Sequence, residues 1–106
     1  MKRFAAHRLY LASEKKMLAM QVVELDEQGD VHLVFPFEEE IRQTEWLGGM
    51  IVIAAEMPQH VPDESFSAFL ARLSDASESR MRAWHIAFFD MAAMEFTLHS
   101  RIIRLR

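Results

Sequence analysis

Five histidines, a run of three glutamates, a set of serines and a Gly-Gly pair are the residues of this chain whose types could do chemistry. The histidines are His7, His32, His60, His85 and His99. None stands four residues from another, and none belongs to a His-x-x-Glu-His or comparable ligand set. His7, His32 and His85 could still converge from neighbouring strands. Lone strand histidines are more often exposed or bonded to backbone, so no metal site is expected. Glu38, Glu39 and Glu40 could attract a hard cation. Calcium needs oxygens spaced to wrap the ion, and three consecutive carboxylates point apart, so a solvated acidic loop is expected instead. Ser65, Ser67, Ser74, Ser77, Ser79 and Ser100 lack the Gly-x-Ser-x-Gly setting of a nucleophile elbow. Gly48-Gly49 is followed by no Lys-Ser/Thr and by no third glycine at dinucleotide-binding spacing, so it predicts a turn or bulge rather than a phosphate loop. No catalytic residue, cofactor site or metal site is therefore assigned.

The element that would position any such group is the segment Leu47-Gly48-Gly49-Met50-Ile51-Val52-Ile53-Ala54-Ala55. A short, continuous, β-branched run after a glycine break predicts a strand buried on both faces. Before it, residues 3–12 predict a first strand, with Leu9 and Leu11 on one face. Residues 20–25 and 31–37 predict a hairpin around Asp26-Glu27-Gln28-Gly29-Asp30, with Gly29 available for positive φ. Period two puts Val31, Leu33, Phe35 and Phe37 on one face. Residues 38–45 are charged and aperiodic, suggesting one loose helical turn. Phe66, Phe69, Leu70 and Leu73 follow at i, i+3, i+4 and i+7 and predict a helix near residues 63–76, with Asp63 as N-cap.

Residues 80–96 fit two periods. Trp84, Ile86 and Phe88 alternate as in a strand, while Met81, Trp84, Phe88 and Met91 also fit a helix. Strands are preferred, with a bend at residues 90–93, because they suit the sheet already proposed. Met94 to His99 alternates strictly, and residues 101–105 are β-branched. Both predict strands. The expected fold is thus one domain over residues 1–106, mainly β within the α+β class: a small β-sandwich or strongly twisted sheet with one amphipathic helix.

The order of these segments resembles the small β-sandwich, made from both chain ends, of amidohydrolase-type metal-dependent hydrolases. The stretches that carry the resemblance are Gln21 to Val31, Thr44 to Ala55, and Glu95 to Leu105. The family's (β/α)8 barrel needs about 200 residues or more, and the chain has 106. Its His-x-His metal pair is also missing, since the entering strand ends in Ile53-Ala54-Ala55-Glu56. The resemblance therefore implies a free-standing sandwich and transfers no catalytic residue.

At 51% apolar and 26% charged residues the chain is too apolar for disorder. It has no cysteine, which excludes a disulfide scaffold and suits a cytoplasmic setting. The net charge of −4 argues against nucleic acid, and no stretch approaches a membrane span. A strand apolar on both faces at residues 84–89 needs a cover, and a second copy of the chain would supply one. Trp84, Ile86, Phe88 and Phe89, or the acidic Glu38, Glu39 and Glu40, are the expected interaction residues. The function that follows is a non-catalytic binding or assembly module, with a homodimer or another protein as partner. The alternatives are a small hydrolase-like enzyme or an accessory subunit of a separate hydrolase chain.

Overall fold

The computed structural model describes residues 1–38, 43–73 and 80–106. Its described residues form β1 (Lys2–Leu11), β2 (Lys16–Leu25), β3 (Val31–Pro36), β4 (Thr44–Trp46), β5 (Met50–Ala54), α1 (Phe66–Ala71), β6 (Arg82–Ala87) and β7 (Arg101–Arg104). All strands belong to one sheet in the order β3-β2-β1-β5-β6-β7, with β4 beside β1. Among the described residues the fold is mainly β with a single short helix, as the sequence predicts. Of the two expected arrangements, the twisted sheet is the one found. The sheet curls until the start of β3 reaches the start of β6: the Val31 N–H donates to the Met81 carbonyl at 2.8 Å, and Asp30 bridges Arg82.

β5 is the centre of this arrangement. All five of its residues are buried, because its two faces serve two apolar clusters. Ile51 and Ile53 join Phe4, Ala6, Leu9, Val23, Leu25, Ala83 and Leu105 inside the curl. Met50, Val52 and Ala54 face outward, where Ile86, Phe66 and Phe69 cover them. β4 and β5 run along the same edge of β1, both parallel to it. Gly48 and Gly49, at φ +67° and +60°, make the kink that joins them. These are left-handed conformations that side chains resist. The pair thus makes a turn, one of the two forms expected of it; β4 takes residues 44–46 of the stretch expected as a loose helical turn, and residues 39–42 of that stretch lie outside the described residues.

The hairpin of β2 and β3 forms around Gly29, whose φ is +83°. The face of β3 differs from the simple alternation. A register shift at Glu24/Leu25 brings both Val31 and Val34 against the inner cluster. Leu33 is half exposed on the other face, and Phe37 meets Trp46 there at 5.5 Å between rings.

α1 is shorter than its apolar stripe suggests. Its N-cap is Ser65, whose hydroxyl accepts from the Ala68 N–H at 3.1 Å. Asp63, the expected cap, sits at φ +65° ahead of it. Phe66 and Phe69 are the buried pair that fastens the helix to the sheet, each contributing about 1.5–3 kcal/mol by burial. The remainder of the predicted helix, at residues 74–76, lies outside the described residues.

Strand structure over residues 80–96 holds only for β6. The predicted second strand and the strand at residues 94–99 are replaced by turns. The Asp90 carboxylate accepts from the N–H groups of Ala92 and Ala93, at 3.0 Å each. Backbone bonds between Asp90 and Glu95 close the loop. Side chain to backbone bonds of this kind compete with strand pairing, and alternation alone does not supply a partner strand. Among the described residues, no helix is long and apolar enough to cross a membrane.

Candidate functional site

Two open clefts meet at Ser100, at the start of the sheet's last strand. The first, of about 390 Å³, is lined by Met57, Pro58, Gln59, His60, Trp84, Ser100 and Ile102. The second, of about 380 Å³, is lined by Phe88, Leu98, His99, Ser100 and Arg101. Together they form a groove beside β7, which is an edge strand of the sheet.

Trp84 comes from β6, and its indole N–H donates to the Ala54 carbonyl at 3.0 Å. That bond fixes the half-buried ring in the first cleft. The opposite wall is residues 57–60, where two prolines in the neighbourhood (Pro58 and Pro62) discourage regular structure. His60 holds this wall in place. Its ring stacks on Phe96 at 3.8 Å, and its Nε2 lies 3.3 Å from the Glu64 carbonyl. Arg72 adds a brace: it donates to both Glu64 carboxylate oxygens at 2.7 Å and to the Gln59 carbonyl at 2.8 Å. The hydrogen bond to Arg72 holds the Glu64 carboxyl below the usual range.

Phe88 is the exceptional residue of the second cleft. It follows β6 directly, has φ +57°, and leaves 69% of its surface exposed. A bulky side chain in the left-handed region costs about 1–2 kcal/mol. The surroundings hold it there. The Phe88 carbonyl accepts from Thr97 Oγ1 at 2.7 Å and from Ser100 Oγ at 2.9 Å. Ser100 Oγ also accepts from the Thr97 N–H at 2.8 Å. The same hydroxyl knot presents Leu98, which is fully exposed.

The four predicted apolar contact residues therefore divide. Trp84 and Phe88 line the groove. Ile86 is buried between β5 and α1. Phe89 turns inward, its ring 4.6 Å from that of Phe66. The premise of the expected self-association was an uncovered second face of β6. Here α1 and the loop after β6 supply that cover. Glu38 is exposed at the end of β3, whereas Glu39 and Glu40 lie outside the described residues. Leu98, Ile102 and residues 57–59 were not singled out by sequence reasoning, and His60 was considered only as a metal ligand. The available signals were Thr97 and Ser100, which favour turns over strand, and the prolines at 58 and 62.

The histidines are only partly gathered. His7 and His85 flank the glycine kink from β1 and β6. His7 Nδ1 accepts from the Gly49 N–H at 3.0 Å, and its ring meets Trp46 edge-on at 4.8 Å. His85 lies against Gly49 on the other side. Burial pushes the His85 pKa down, and a hydrogen bond with the Gly48 backbone opposes that shift. His32 is exposed on β3. Among the described residues, no group of three or more His, Asp or Glu is placed to hold a metal ion.

No family model, curated protein or solved structure matches the chain.

Proposed function

We propose that this chain is a non-catalytic binding module that holds a segment of another polypeptide in the groove beside β7. The observation that carries the reading is Phe88: its backbone is strained, two hydroxyls pin its carbonyl, and its aromatic side chain is offered to solvent. Backbone strain of this kind persists where the surroundings enforce it, and it gathers at functional positions. A fixed backbone also lowers the ordering cost at this position on binding, and exposed aromatic side chains are frequent anchors of interfaces. Trp84 and Leu98 extend the apolar surface on either side of it. Two polar groups of the groove take part in its own construction: Ser100 Oγ bonds Phe88 and Thr97, and His60 lies against the Glu64 carbonyl.

The amidohydrolase resemblance belongs to the same proposal. It reads the chain as a relative of the hydrolase sandwich that works without the barrel, and it makes a separate hydrolase chain one partner worth testing. A cytoplasmic setting fits a chain without cysteine.

The test is selection of a displayed random-peptide library on the purified protein, followed by affinity measurement on Phe88→Ser and Leu98→Ser. Ligands that lose at least tenfold in affinity on each variant support the reading. Selected ligands indifferent to both variants, or no ligand at all, count against it. Light scattering during size-exclusion chromatography reads out the self-associating form of the same proposal, which Leu98→Ser would abolish.

A further inference from the structure

We infer that the segment bound beside β7 is an extended, acidic strand that adds to the free edge of the sheet; this rests on the groove being a polypeptide site. The first argument is the backbone. Leu105 donates its N–H to the Ala83 carbonyl, and Ile103 pairs with His85 and Arg101 with Ala87. In an antiparallel pair, alternate residues exchange both bonds. Arg101, Ile103 and Leu105 therefore turn their backbone groups toward β6, and Ile102 and Arg104 turn theirs away. No other described strand pairs with that edge. An edge of this kind is a template for strand addition.

The second argument is charge. Arg101 and Arg104 lie on β7, Arg106 follows against the Gly29 turn, and residues 101–106 include no acidic side chain. Among the described residues the carboxylate in ion-pair range is that of Asp30, 4.0 Å from Arg104. A second copy paired through β7 would place three arginines from each chain on one ribbon, with repulsion and no new acid. A strand carrying glutamate or aspartate meets the opposite sign and is favoured in both rate and register.

The third argument is the pattern of faces. Ile103 is 48% exposed and shares its face with Arg101, which is also exposed. Ile102 lies on the other face, beside Trp84 in the cleft of about 390 Å³. An incoming strand therefore wants an apolar side chain opposite Ile103, another opposite Ile102, and an acid opposite Arg101. The residue after that acid reaches Phe88 and Leu98, and an apolar side chain suits it.

The probe is a blocked six-residue peptide, Thr-Glu-Val-Val-Glu-Val, written to lie antiparallel to residues 105–100. Its first glutamate falls opposite Arg104 and its second opposite Arg101. Three relatives accompany it: one with lysine for both glutamates, one N-methylated at the valine opposite Ile102, and one N-methylated at the valine opposite Ile103. We expect saturable binding of the parent, a loss of at least tenfold with lysine, weakening by added salt, and slowed amide exchange at Ile102 and Arg104. We expect N-methylation opposite Ile102 to abolish binding, because it removes an edge hydrogen bond. Methylation opposite Ile103 should be tolerated. Failure of the parent to bind at millimolar concentration overturns the inference, as does equal binding of the lysine peptide or of both methylated forms. A parent peptide indifferent to N-methylation but weakened by Phe88→Ser would overturn strand addition while leaving the groove as a polypeptide site. Indifference to Phe88→Ser as well would remove both.

Discussion

Replacing Phe88 by glycine and by alanine separates the strain of its backbone from the use of its ring. Both variants lose the part of the side chain that is buried. With 69% of the residue exposed, that loss is about a third of full burial, or roughly 0.5–1 kcal/mol. Alanine keeps the left-handed penalty, so Phe88→Ala should be less stable than the parent by that amount. Glycine relieves a penalty of about 1–2 kcal/mol but adds about 0.5–1 kcal/mol of unfolded-chain entropy. Phe88→Gly should thus equal the parent within error and exceed Phe88→Ala by about 0.5–1 kcal/mol. On the usual scale for domains of this size, that is a Tm difference of roughly 2–5 °C. At an ordinary strand-end position the order would be reversed, with alanine the more stable. Urea titration with a shared m-value and a thermal melt would both report it. If alanine is the more stable of the two, position 88 is not held in the left-handed region and the argument from strain is wrong.

Three further outcomes follow from the packing. Phe69 of α1 is completely buried against the sheet, so Phe69→Ala should cost about 3–5 kcal/mol in urea titration, as large aromatic truncations do. Asp30 stands among three arginines where the curled sheet closes: Arg80 at 3.0 Å, Arg82 at 3.9 Å and Arg104 at 4.0 Å. Asp30→Ala should cost about 2–3 kcal/mol, less than a fully buried pair because Arg80 is largely exposed, and slowed hydrogen exchange at Val31 should be lost with it. Burial lowers the pKa of His85, so its folded pKa lies below the unfolded value of about 6.5. Its contribution to stability is complete above that value and declines as pH falls from about 6.5 through the lower folded pKa, since the unfolded chain takes up the proton first. In His85→Gln, urea midpoints between pH 7.5 and 5.5 should fall less steeply than in the parent.

Much of the sheet can be read from the residues. The buried character of β5 is written in five consecutive apolar residues after a glycine pair, and the hairpin in a Gly29 turn between alternating runs. The face of β3 was misread because alternation assumes an unbroken register, and the shift beside Leu25 depends on the partner strand. β4 is three residues long and parallel to β1, too short for periodicity to register and dependent on a strand some forty positions away. The Met94 to His99 alternation was real, yet Asp90, Thr97 and Ser100 offer local hydrogen bonds that a strand would have to outcompete.

The groove was half visible. Trp84 and Phe88 stood out by size and apolar character, but Ile86 and Phe89 looked the same in sequence and went to the core. What divides them is the backbone of Phe88. Once it turns left-handed, the ring at 88 leaves the sheet and the next ring faces Phe66. Two hydroxyls placed nine and twelve residues downstream stabilise that turn, and no local pattern announces the pairing.

The most direct test of the binding account sets affinity beside stability in one variant. For peptides selected on the parent, Phe88→Gly should weaken binding at least tenfold while keeping the parent's Tm within error. Undiminished affinity in this folded variant would contradict the assignment of the groove beside β7 as the working surface.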